Sequence, residues 1–69
     1  MEVNKGDVFF IPNPQKDRLN PTGGDVIYTV SNVNGNRVSW DCTGSIAWFR
    51  NVTVGFIAEQ VQDGNLIKL

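Results

Sequence analysis

"TVSNVNGNRVSW", residues 29–40, decides how this chain folds, because its Asn34-Gly35 pair separates two alternating runs. A two-residue turn at Asn-Gly would set Val33 opposite Asn36 and Val30 opposite Ser39, mixing apolar and polar residues on each face. A three-residue loop, Val33-Asn34-Gly35, with Gly35 in a left-handed bulge position, does better. It opposes Val30 with Val38, Tyr28 with Trp40 and Val26 with Cys42. All six then share one face, and a slip of one residue would turn a whole strand inside out. The sequence therefore predicts a bulged hairpin, dry on that face. Ile27, Thr29, Arg37, Ser39 and Asp41 occupy the other.

Outward from the hairpin, Lys5-Gly6-Asp7 is turn chemistry and Val8-Phe9-Phe10-Ile11 is a short strand, stopped by Pro12 and Pro14. Period two separates Val8 and Phe10 from Phe9 and Ile11. The expectation is that Phe9 and Ile11, with Ile27, point outward. Residues 13–25, "NPQKDRLNPTGGD", read as a loop through two Asn-Pro pairs and a Gly-Gly pair. A loop this long in so short a chain is either pinned by Leu19 or carries Lys16 and Arg18 to a partner.

The second half is less orderly. Ile46–Arg50 reads as a strand containing Trp48 and Phe49, of which one must face out because neighbours alternate. Val52, Val54 and Phe56 continue the alternation, with Gly55 as a bend. "FIAEQV" has room for one helical turn. Asp63-Gly64 predicts a closing hairpin that opposes Val61 with Leu66 and Glu59 with Lys68.

Composition bounds the function. Sixty-nine residues, 41% of them hydrophobic, make one domain (1–69) with a thin core. One cysteine and no histidine exclude an internal disulfide and a thiolate or imidazole zinc site. Without histidine there is no ordinary base near neutral pH and no Ser-His-Asp triad. The carboxylates are scattered and no phosphate-binding glycine loop is present. The reading is non-enzymatic, with no metal and no cofactor. Six basic against seven acidic residues make a weak attractor for phosphate. No apolar run spans a membrane and no export signal opens the chain, so the expected compartment is the cytoplasm. The sequon at Asn51 is then a chance match.

Several short strands between Gly, Asn and Asp turns suggest an all-β fold, a strongly bent antiparallel sheet closing into a five- to six-stranded barrel. Three segments, "KGDVFFIP", "DVIYTVSNVNGNRVSW" and "DGNLIKL", together resemble the small Src-homology-three-like barrels, including bacterial and phage relatives. The acidic loop and "ALYDY"-type segment of the peptide-binding members are absent, so no family binding residue carries over. The outward aromatics and the residues 13–25 loop point to a non-catalytic protein-binding module, and the brevity and Asn-rich turns to a small phage modulator docking on a larger protein. Its surface would comprise Phe9, Ile11, Lys16, Arg18, Ile27, Arg37, Trp48 and Phe49. The alternatives are a structural homo-oligomer, or a barrel binding single-stranded nucleic acid through Tyr28, Trp48 and Phe49.

Overall fold

In the computed structural model, residues 1–12, 23–43 and 51–69 are described. They form β1 (Val8–Phe10), β2 (Ile27–Asn34), β3 (Arg37–Thr43), β4 (Asn51–Thr53), α1 (Val54–Gln62) and β5 (Ile67–Lys68). The strands make one antiparallel sheet in the order β4-β3-β2-β1-β5. The last strand thus pairs with the first. Among the described residues the sheet stays open, its edges being β4 and β5.

The hairpin forms, in a different register from the expected one. Asn34 opposes Arg37 across a two-residue loop, Gly35-Asn36, with Gly35 at φ +62. Val33 opposes Val38, and Asn32 opposes Ser39. The ladder then shifts, so that Val30 opposes Trp40 and Tyr28 opposes Cys42. Ser31 is the extra residue, and its hydroxyl donates to the Ser39 carbonyl at 3.1 Å. The bulge therefore sits inside β2 and not at Gly35. Its physical reason is Val33: one extra residue returns Val33 to the phase of Val30, where it packs partly buried against the core. The predicted pairs Val30–Val38, Tyr28–Trp40 and Val26–Cys42 become diagonal neighbours. Moving by two residues preserves side-chain phase, so the predicted dry face survives. Val26, Tyr28, Val30, Val38 and Trp40 are all buried, and Cys42 is half-buried.

The closing segment is a helix, not a hairpin. Thr53 caps α1, its Oγ1 accepting from the Phe56 N–H at 3.0 Å. The Val54 N–H donates to the Asn36 carbonyl at 2.9 Å, tying the helix start to the β2–β3 loop. Gly64 adopts φ +81 beyond the Asp63 C-cap. The Gly64 N–H donates to the Val61 carbonyl and the Asn65 N–H to the Gln60 carbonyl, both bonds of a Schellman stop. Asp63-Gly64 thus ends a helix, and Val54 and Phe56 belong to it. Val54, Ile57, Ala58 and Val61 recur at i, i+3, i+4 and i+7, the stripe that an amphipathic helix buries. Ile57 is wholly inaccessible at its centre.

This stripe covers one face of the sheet. Val3, Phe9, Val26, Tyr28, Val30, Val38, Trp40, Ile57 and Leu66 make the core. Trp40 organises it, stacking on Tyr28 at 4.3 Å and meeting Phe9 edge-on at 6.1 Å. A nine-residue helix is marginal alone in water, so α1 owes its persistence to this contact.

Candidate interaction surface

Among the described residues, the face that α1 does not cover is divided by chemistry. Cross-strand pairing sets Ile27 opposite Phe10 and Phe10 opposite Ile67, which makes one apolar row across β2, β1 and β5. In the next row Thr29 opposes Val8, and the Leu69 N–H donates to the Val8 carbonyl at 2.9 Å. Val8, Phe10 and Ile27 are half-buried, while Ile67 is 41% and Leu69 74% exposed. A shallow hollow of about 300 Å³ opens beside this row, lined by Phe10, Ile11, Asp25, Val26, Ile27 and Leu69. The β3–β4 half is polar: the Ser39 hydroxyl donates to Asn51 Oδ1 at 2.9 Å, and Arg37 opposes Thr53.

The first strand has the reverse of its expected orientation. Phe9 is fully buried, a core residue and not the surface residue expected from the sequence. A strand apolar on both sides carries no internal sign of which side is inner. The register supplies it, because Phe9 opposes Tyr28 and must share its phase. Ile11 shares that phase and packs against the core, keeping only an edge on the hollow. Phe10 takes the outward place, and Ile27, outward as expected, lies beside it in place of Phe9. Arg37 is exposed but lies in the polar half, away from the apolar row. Lys16, Arg18, Trp48 and Phe49 lie outside the described residues, as does the strand expected at Ile46–Arg50. Val8, Phe10, Ile67 and Leu69 were missing from the expected surface. The signal for them was the alternation Ile67-Lys68-Leu69 once the last strand is paired with the first.

Electrostatics on the two sides differ. Burial pushes the Tyr28 phenol up to about 12, with further contributions from the neighbouring Cys42 thiol and a hydrogen bond to it. Tyr28 thus stays neutral throughout the physiological range, and at 3% exposure it offers no stacking surface to a base. Asp7 organises the turn into β1 by accepting from the Asn4 N–H at 2.8 Å, and it pairs with Lys68 at 3.4 Å. Both groups are partly exposed, so the pair contributes little to stability. Among the described residues no three His, Cys, Asp or Glu side chains come together as a cation would require, and no helix is long and apolar enough to cross a membrane. What this half of the face offers is apolar contact with backbone edges close by. No protein-family model matches the chain, and neither a curated protein nor a solved structure matches it.

Proposed function

We propose that the protein is a non-catalytic protein-interaction domain that docks a partner on the helix-free side of its sheet, around Phe10, Ile27, Ile67 and Leu69. One observation carries this reading. The apolar row Ile27–Phe10–Ile67 is continuous across three strands on the side that α1 leaves uncovered. Contiguous apolar surface on a small domain marks a contact site more often than solitary exposed residues do. Pairing of the last strand with the first, in an antiparallel five-stranded sheet, is the feature that supports kinship with the small Src-homology-three-like barrels. A phage modulator docking on a larger cytoplasmic protein fits the same surface.

Chemical crosslinking of the wild type and of Ile67→Glu in extracts of the native host tests the proposal. The wild type should capture a defined protein, and Ile67→Glu should lose it with the near-ultraviolet circular dichroism of Tyr28 and Trp40 unchanged. Equal capture by a folded Ile67→Glu variant contradicts it.

A net charge of −1 raises little electrostatic barrier to self-association, which favours a second reading as a homo-oligomer built on the same row. Sedimentation at micromolar concentration decides it. A species heavier than 7.7 kDa that Ile67→Glu dissociates supports it, and a monomer removes it.

A further inference from the structure

We infer that the partner segment seated on this face carries an apolar anchor flanked by lysine or arginine. This rests on the interaction reading above and specifies its partner. Two carboxylates flank the apolar row on its β2–β3 side. Asp25 lines the hollow beside Ile27, just before β2 begins. Asp41 opposes Thr29, which makes it the diagonal neighbour of Ile27, about 7–8 Å away on the same face. Both are exposed. Lys68, which follows Ile67, belongs to the other phase, where it opposes Phe9 and pairs with Asp7.

An occupant resting on Ile27, Phe10 and Ile67 therefore comes within reach of two solvated negative charges. A segment with cations on either side of its apolar anchor gains from both, and one with flanking acids is repelled by both. Among the described residues, a second copy offers acids and not cations beside its own row, since Lys68 lies in the other phase and pairs with Asp7. It lacks the complementary charge, which makes self-association on the row the poorer fit. Exposed pairs are weak one at a time, so their role is selectivity more than affinity.

Three short synthetic peptides titrated into isotope-labelled protein test the inference by amide shifts. One has a Leu-Phe-Leu centre with lysine flanks, the second the same centre with glutamate flanks, the third a serine centre with lysine flanks. The first should shift Phe10, Ile27 and Ile67 and bind about tenfold more tightly than the second. That ratio should shrink toward one in the Asp25→Asn/Asp41→Asn variant and at high salt. Equal affinity of the first two peptides at this patch overturns the charge assignment and leaves the interaction reading standing. Equal binding by the serine-centred peptide overturns the apolar anchor. If no peptide shifts the patch and Ile67→Glu still captures the wild-type partner, both readings fall. If no peptide shifts it and sedimentation gives a dimer that Ile67→Glu dissociates, the occupant is a second copy and the inference is overturned.

Discussion

Tyr28 stacks on Trp40 with ring centroids 4.3 Å apart and planes 20° from parallel, although the two residues are not opposed in the ladder. Tyr28 opposes Cys42, and Trp40 opposes Val30. The contact is a diagonal one, within reach only because both side chains are long. It joins β2 and β3 on the side that α1 covers, and so fixes which side of the sheet packs against the helix.

Replacing Tyr28 with Phe keeps the stack and removes the hydroxyl that meets the Cys42 thiol. Equilibrium urea unfolding should show a loss of about 1 kcal/mol or less. Tyr28→Leu also removes the aromatic pair, and should cost a further 0.5–1.5 kcal/mol, roughly, beyond the lost area. Equal losses for the two variants would contradict the stack.

Alkali should destabilise the fold through the same residue. The folded-state phenol is raised from 10.0 to about 12, so its contribution is fully present below pH 10 and is lost as pH rises toward 12. With a single tyrosine in the chain, tyrosinate absorbance reports this group alone. The native protein should titrate later than the urea-unfolded chain, and thermal stability should fall over that same interval. Coincident titration curves would show that the phenol is solvated.

The ends of α1 make separate contributions. Thr53→Ala removes the cap on the Phe56 N–H and should cost about 1 kcal/mol. Gly64→Ala forces a Cβ into φ +81 with no neighbour within 4 Å, so its cost, about 1–2 kcal/mol, is conformational and not steric. Introducing D-alanine at position 64 by synthesis should therefore restore stability. Failure of that rescue would argue against the helix stop.

The bulge at Ser31 predicts an asymmetry between adjacent positions. Val33→Ala should cost about 1–2 kcal/mol, because Val33 packs against the core, while Asn32→Ala should change stability by no more than about 0.5 kcal/mol. An unbulged strand reverses the order, since it turns Val33 outward.

Much of this was legible in the residues, for identifiable reasons. The dry face of the hairpin could be read because parity survives a shift by two, even though every predicted cross-strand pair was displaced. The position of the bulge could not, since Ser31 and Gly35 both allow one and only the depth of Val33 decides between them. The helical turn allowed at "FIAEQV" stops short of the observed Val54–Gln62, because Val52, Val54 and Phe56 also satisfy a strand's alternation, while Asp63-Gly64 serves a hairpin and a helix stop equally. Thr53 and the spacing of Val54, Ile57, Ala58 and Val61 carried the contrary signal. Phe9 and Phe10 exchanged places because their own strand is apolar on both sides. The surface row became visible only when β5 was paired with β1, a contact between the two ends of the chain that no local pattern encodes.

The proposed docking face depends on which side of the sheet α1 protects. Methyl resonances recorded with a neutral paramagnetic co-solute measure that protection directly. Ile67 and Leu69 should broaden strongly, Ile27 partially, and Ile57 hardly at all. A shielded Ile67 beside an accessible Ile57 would mean that the helix lies elsewhere, and the proposed docking face would be lost with it.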